Sequence, residues 1–140
     1  MKTQIQKYSL DPTVSLIRRH WTDLHRNCET WLTRWPRAQE IAKTARLDVS
    51  NKMTRCAGIA YTRSGIVRIS LPIFRRRCNQ SEIPEILAHE LAHVIADKFV
   101  GTPQNHSPEW YFWARTLGST GAIYHNLDIH SDPLLDDLVL

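Results

Sequence analysis

The sequence is poor in cysteine and has no long apolar run. Its three cysteines, Cys28, Cys56 and Cys78, form no CxxC pair, so they indicate neither a disulfide framework nor a cysteine-only zinc site. No apolar stretch approaches the ~18 residues of a transmembrane helix, and the N-terminus lacks an apolar core of signal-peptide length. We therefore expect a cytoplasmic protein that does not associate with membranes. The 140 residues suffice for one domain with a hydrophobic core.

Positive charge is abundant but unevenly distributed. Residues 1–127 contain all 18 Lys and Arg residues and ten acids, a net charge of +8, whereas residues 128–140 contain four acids and no Lys or Arg. Thirteen of the bases are arginine, including the run Arg75, Arg76 and Arg77. Because a guanidinium group suits phosphate and carboxylate contacts, this composition favours acidic partners, DNA among them. Solvated surface arginines are the alternative interpretation.

Periodic patterns predict two helices and then a β-hairpin. After Asp11 and Pro12, apolar residues recur at alternating spacings of three and four, which predicts one long amphipathic helix that ends at Pro36 and packs into the core. A shorter helix is expected around residues 37–47. Apolar residues then alternate with polar ones over residues 66–71, behind a turn at Ser64 and Gly65. This strand is expected either to bind an extended substrate or to lie inside the sheet.

Two capped helices are expected in the second half of the chain. The first should be capped by the Ser81 hydroxyl and should end near Gly101. The second has Ser107 as its N-cap, Pro108 as its first residue and Gly118 as its terminator.

The first of these helices contains the sequence HELAH. His89 and His93 are four residues apart, so their Cβ atoms lie about 5–6 Å apart on one helix face and their imidazoles can chelate one ion. Glu90 points about 100° around the helix from His89, which is too far round for a third ligand of the same ion but suits contact with a metal-bound water. This is the mechanical basis of H-E-x-x-H in metalloproteases.

A catalytic zinc site takes three protein ligands, and the third has three candidates here. His106 follows His93 after 12 intervening residues and can fold back across a tight turn. Glu109 lies one helical turn further on. Asp97 and Glu85 are each four residues from a HELAH histidine, a spacing that suits hydrogen bonding to an imidazole better than ligation. For both residues, a solvated surface acid is the favoured interpretation.

The order of these elements resembles the SprT-like zinc metallopeptidase domain. The resemblance spans about residues 10–118 and includes EILAHELAHVIAD followed by HSPEW, an H-x-x-x-W arrangement. In that family both HExxH histidines and the later histidine bind zinc, and the glutamate is catalytic. The resemblance therefore implies that the zinc ligands are His89, His93 and His106. It also implies that Glu90 is the catalytic base and that Trp110 is the packing aromatic.

The expected fold is α+β, a zincin-like single domain over residues 1–127. It has a long N-terminal helix, a small antiparallel hairpin or sheet, the HExxH helix and a further helix. Residues 128–140 are expected to form an acidic C-terminal tail or the last helix of the same domain. Many SprT-like proteins continue into a cysteine zinc ribbon, which these residues lack, so DNA contacts are expected from the metallopeptidase domain or from a partner.

The expected function is zinc-dependent hydrolysis of peptide bonds in a protein substrate. Family members that resemble Spartan cleave proteins crosslinked to or bound on DNA, which suits the basic composition. The side chain that assists zinc at the oxyanion has four candidates, which are Tyr61, Tyr111, Tyr124 and His125.

Two other functions stay open at this point. A narrow-specificity protease resembling the ImmA-like proteases also uses HExxH but commonly takes a later acid as its ligand, for which Glu109 is available. A nucleic-acid-binding or protein-binding module with a purely structural zinc ion has no need of Glu90.

Overall fold

The structure, a computed structural model, describes residues 11–129. Its elements are helix α1 (Pro12–Trp31), helix α2 (Pro36–Thr44), strands β1 (Arg46–Ser50), β2 (Gly58–Tyr61) and β3 (Ile66–Ser70), helix α3 (Leu71–Arg75), a 3-10 helix (Arg77–Glu82), and helices α4 (Ile83–Val100) and α5 (Pro108–Thr116). The fold is α+β, as predicted. Within residues 11–129, no helix combines the length and the apolar character needed to cross a membrane. Of the predicted tail, residues 128–140, the part from residue 130 onward lies outside the described residues.

Helix α1 forms where the periodicity predicts it but ends earlier. The Asp11 carboxylate caps it by accepting hydrogen bonds from the backbone amides of Thr13 (2.8 Å) and Val14 (3.3 Å). The predicted end at Pro36 was wrong, because the last helical residue is Trp31. Proline disfavours the helical conformation in the residue before it, and Trp35 has φ −130° and ψ 78°. A short turn therefore separates α1 from α2.

The three strands form a mixed sheet in the order β1-β3-β2. Strands β2 and β3 form the predicted antiparallel hairpin. Strand β1 pairs with β3 in parallel and was not predicted, since its five residues were partly assigned to the preceding helix. Because β3 is flanked on both sides, its backbone is not available to a substrate, and the interior placement of this strand is confirmed.

Helix α4 is the central element of the core. It packs against α1, α2, α5, β2 and β3, and 11 of its 18 residues are buried. A helix that is apolar around most of its circumference is typical of such a buried position. The predicted Ser81 cap was wrong, because Ser81 lies in the 3-10 helix and α4 begins after Glu82 without a side-chain cap. The predicted end at Gly101 is confirmed, since this residue adopts the left-handed conformation with φ 94°.

Candidate metal centre

Three histidines from two parts of the chain meet beside helix α4. His89 and His93 project from α4, and His106 lies in the loop just before α5. One ring nitrogen from each of them lies within 4.8 Å of the others, and the Nε2 atoms of His89 and His106 are 3.1 Å apart. Nitrogen ligands of a tetrahedral zinc ion are about 3.3 Å apart, so small side-chain adjustments suffice to surround one ion. The three histidines could therefore hold a metal ion.

The two carboxylates that competed for the third position make other contacts. Glu109 accepts a hydrogen bond from Trp113 Nε1 (3.0 Å) on α5. Asp97 accepts one from the backbone amide of Gln104 (2.8 Å), in the loop that carries the third histidine. The histidine group found among the described residues contains neither acid. The fold thus brings His106, rather than Glu109 or Asp97, to the HELAH pair.

The loop before α5 is shaped to return His106 to α4. Asn105 adopts a left-handed conformation with φ 52°, which asparagine tolerates better than most residues. Ser107 then caps α5 by accepting a hydrogen bond from the Trp110 amide (3.4 Å). The left-handed turn at Asn105 and the cap at Ser107 together reverse the direction of the chain within a few residues.

Trp110 packs against all three histidines. Its buried ring stacks on His93 at an interplanar angle of 25°, and its ring centroid lies 4.8 Å from that of His89 and 4.7 Å from that of His106. Its Nε1 donates a hydrogen bond to the backbone carbonyl of His89 (3.1 Å). The indole therefore limits the orientations that the three imidazoles can take.

The environment keeps the histidines in the neutral form that binds metal. Burial, reinforced by the other histidines, lowers the pKa of His89 to about 3. Burial and His106 lower the pKa of His93 to about 4. His106 is exposed, and burial of part of its ring together with His125 lowers its pKa as well. Neutral imidazoles have a free lone pair at neutral pH, and His106 forms the solvent-exposed side of the cluster.

Glu90 lies beside the cluster in a nearly dry environment. It is 9% exposed, and its Oε2 atom is 3.9 Å from His89 Nε2. Burial raises the pKa of this carboxyl to about 7. A carboxylate with a pKa near the working pH is suited to accept and return a proton, and a bound cation nearby would lower the pKa again.

Gly58 makes room for Glu90 and was missed by the sequence analysis. A Cβ atom at this first residue of β2 would lie 2.9 Å from Glu90 Cγ and 3.1 Å from Ile86 Cγ2. Every other residue type would therefore crowd the carboxylate. An isolated glycine in a strand pattern is a known sign of close approach, so the sequence did contain a signal.

A cleft runs between strand β2 and helix α4 at this position. The strand contributes residues 58–60, Thr62 follows it in the turn, and the opposite side includes Glu90, His93 and Asn105. Strand β2 is an edge strand of the sheet among the described residues, since β3 is its only partner there. The cleft thus lies beside both the edge of β2 and the histidine cluster.

The four candidates for an oxyanion donor lie in different surroundings. The Tyr61 hydroxyl accepts a hydrogen bond from Arg68 (3.0 Å). Tyr111 is half-exposed and Tyr124 is 90% exposed. His125 contacts the cluster directly, with its Nε2 atom 3.1 Å from His89 Nδ1.

The arginine run is divided between surface and interior. Arg76 is only 7% exposed and donates hydrogen bonds to the carbonyls of Pro72 (3.0 Å) and Ile129 (3.4 Å). Arg75 is exposed and forms an ion pair with Asp11. Arg77 is exposed. Of the three arginines, only Arg75 and Arg77 therefore lie at the surface, and Arg76 is a structural residue.

Comparisons with known proteins match this chain to one family and to parts of two curated proteins. The model of the SprT-like family matches residues 23–131. The chain is 30% identical over 76 residues to Protein SprT of Glaesserella parasuis serovar 5 (strain SH0165), covering 54% of this chain and 48% of that protein. It is 38% identical over 55 residues to serine hydroxymethyltransferase of Campylobacter concisus (strain 13826), covering 39% of this chain and 13% of that protein. The chain thus spans about half or less of these curated relatives. No solved structure matches it.

The family match covers most of the chain. It includes HELAH, the loop with His106 and the capped helix that follows, and these are the segments that build the cluster described above. The chain therefore belongs to the SprT-like family.

Proposed function

We propose that the protein is a zinc-dependent metallopeptidase, with His89, His93 and His106 as the zinc ligands and Glu90 as the general base. The observation that carries this proposal is the convergence of three neutral imidazoles next to a buried carboxylate in an open cleft. Zinc, when bound, would lower the pKa of a water toward about 7 and would act as a Lewis acid for the scissile carbonyl. Glu90 would accept a proton from the attacking water and return it to the leaving amine.

The substrate class follows from the strand that lines the cleft. A peptide in extended conformation can pair with the edge of β2 that has no strand partner within residues 11–129, where main-chain hydrogen bonds give affinity with little sequence preference. The cleft lies on the surface between β2 and α4, so a segment that is already unfolded or flexible fits it best. We therefore propose exposed, extended segments of proteins as the substrates.

We further propose that the substrates include proteins that are bound to DNA. The net charge of +8 over residues 1–127 supports attraction to a polyanion, and the family resemblance points in the same direction. Since Arg76 is buried, the exposed arginines on either side of it are the residues to test in this segment.

Replacement of Glu90 by glutamine tests the catalytic role. The amide keeps nearly the same shape but cannot accept the proton of the attacking water. We expect Glu90→Gln to retain zinc and to lose cleavage of a DNA-binding protein, assayed without DNA and with single- or double-stranded DNA. The matched control is Glu109→Gln, which makes the same chemical change at a carboxylate bonded to Trp113.

The outcomes separate the parts of the proposal. Cleavage by Glu90→Gln at the parental rate would falsify the role of Glu90. Cleavage that does not respond to DNA leaves the peptidase and removes the DNA-linked substrate. A parent protein that binds zinc but cleaves no protein supports a purely structural metal.

A further inference from the structure

The segment that follows helix α5, residues 119–129, is here named the strap. Its beginning is fixed to helix α4 by the Glu85 carboxylate. This carboxylate accepts hydrogen bonds from Ser119 Oγ (2.9 Å), from the Thr120 amide (3.1 Å) and from Thr120 Oγ1 (2.7 Å). Glu85, which the sequence suggested as a partner for an imidazole, thus holds the strap instead.

The far end of the strap is fixed by Asn79, in the 3-10 helix that leads into α4. The Asn79 side chain donates to the Asp128 carbonyl (2.6 Å) and accepts from the Asp128 amide (2.8 Å). Asn79 is 1% exposed, so little water competes for these bonds. The strap is therefore attached at one end to α4, which carries the HELAH histidines, and at the other end to the 3-10 helix before it.

Between these two attachments the strap meets the outer side of His89. A backbone hydrogen bond that involves Ala122 of the strap raises the pKa of His89, against the effect of burial. His125 approaches the same ring edge-on, with 5.0 Å between ring centroids and 3.1 Å between His125 Nε2 and His89 Nδ1. The opposite nitrogen of His89, Nε2, faces His106. The strap thus contacts one nitrogen of His89 while the other points into the metal site.

This arrangement has a consequence for the tautomer of His89. A neutral imidazole carries one proton, and a metal can bind only the nitrogen that lacks it. If Nε2 is to face the metal, the proton must sit on Nδ1, and a buried N–H needs an acceptor. Metal-binding histidines in general donate their second ring N–H to such a partner, which fixes ring orientation and raises metal affinity.

We propose that His125 is a positioning residue of the metal centre. Its Nε2 accepts a hydrogen bond from the Nδ1–H group of His89, which holds His89 in the tautomer that presents its own Nε2 to the metal. The inference rests on the proposed metal site and extends it to the strap. It also removes His125 Nε2 from the set of oxyanion donors, because that nitrogen is engaged with His89 Nδ1.

Three substitutions test the acceptor. His125→Phe keeps an aromatic ring but removes the acceptor, and we expect zinc affinity to fall about 10-fold, the lower end of the range for such partners. His125→Gln places an amide oxygen near the position of Nε2, and we expect it to recover most of the lost affinity. His20→Phe, at a half-buried histidine on α1, is the control and should bind zinc like the parent.

Zinc affinity is measured by competition with a chromophoric chelator, and the ligand field is measured from the visible absorption of the cobalt-substituted proteins. We expect the cobalt spectrum to change in His125→Phe and to return toward the parental spectrum in His125→Gln. The inference is overturned if His125→Phe has the zinc affinity and cobalt spectrum of the parent. It is also overturned if His125→Phe and His125→Gln lose zinc affinity equally. A parent that binds no zinc overturns the proposed function as well, so the two failures are distinguishable.

A measurement on the unchanged protein does not depend on whether the variants fold. Nitrogen-15 NMR of the zinc-loaded protein reports which ring nitrogens are protonated and detects scalar coupling across an N–H···N hydrogen bond. We expect His89 to carry its proton on Nδ1 and to show coupling to His125 Nε2. A proton on His125 Nε2 overturns the inference.

Discussion

Substitution of Gly58 by alanine is the sharpest test of how the fold sets the position of the general base. The added Cβ would lie 2.9 Å from Glu90 Cγ, 3.1 Å from Ile86 Cγ2 and 3.2 Å from Ile69 Cδ1. Carbon atoms pack best about 3.5–4.0 Å apart, so Glu90 must move by roughly 0.6–1 Å to relieve the closest contact. Since Glu90 is buried, it has few alternative positions close by.

Such a displacement should reduce catalysis much more than metal binding. A misplacement of about 1 Å can cost a catalytic group about 100-fold in rate, so we expect kcat to fall about 10- to 100-fold in Gly58→Ala. Overpacking of this kind typically destabilises the fold by about 1–3 kcal/mol. Zinc content should stay at the parental value, because the added methyl group lies against Glu90 rather than against the histidines.

The assays are zinc content, thermal unfolding and steady-state cleavage of an unfolded protein substrate. Gly65→Ala is the matched control, since Gly65 has φ 71° and its Cβ would meet only the end of Lys98 at 3.7–3.8 Å. This control should lose about 1 kcal/mol from backbone strain and keep the parental kcat. A parental kcat in Gly58→Ala would show that Glu90 has more freedom than its surroundings indicate.

Two further predictions concern pH and the third ligand. Acidification from pH 6.5 to 4 should destabilise the metal-free protein by a few kcal/mol at most. In the unfolded state His89 and His93 have the ordinary pKa of 6.5, whereas in the folded state their pKa values are about 3 and about 4. The unfolded state therefore binds more protons across this range and is favoured by acid. The raised pKa of Glu90 acts in the opposite sense, since its protonation below about 7 favours the folded state and offsets part of the loss. Thermal unfolding across this range measures the net effect, and an unchanged Tm contradicts the expectation. His106→Ala should lose most of the bound zinc while Glu109→Ala keeps it, and metal analysis showing the reverse would favour the ImmA-like alternative.

The local part of the site could be predicted from the sequence. A helix period of 3.6 residues alone places His89 and His93 on one face and turns Glu90 to the side, so no tertiary contact is needed for this step. The caps of α1 and α5 were predictable for the same reason, because Asp11 and Ser107 bond to amides two or three residues away.

Predictions weakened where two signals competed over short distances. Strand β1 has only five residues and directly follows a helix, so its alternation of Leu47 and Val49 with polar residues was too brief to outweigh the helical pattern. Its main contacts are with β3, about 20 residues further along the chain. Similarly, Ser81 had the composition of a cap, but the chain forms a 3-10 turn there and α4 starts after Glu82.

The sequence by itself determined the chemistry of the HELAH pair and limited the third ligand to a histidine or one of two acids. Only the tertiary structure decided among these, because the return of His106 depends on a turn at Asn105 and on Trp110 packing against α4. Gly58 and His125 are separated from their partners by 32 and 36 residues, and no periodicity links positions that far apart. Spacing along a helix is set by backbone geometry, whereas the surroundings of a buried side chain are set by how distant segments pack.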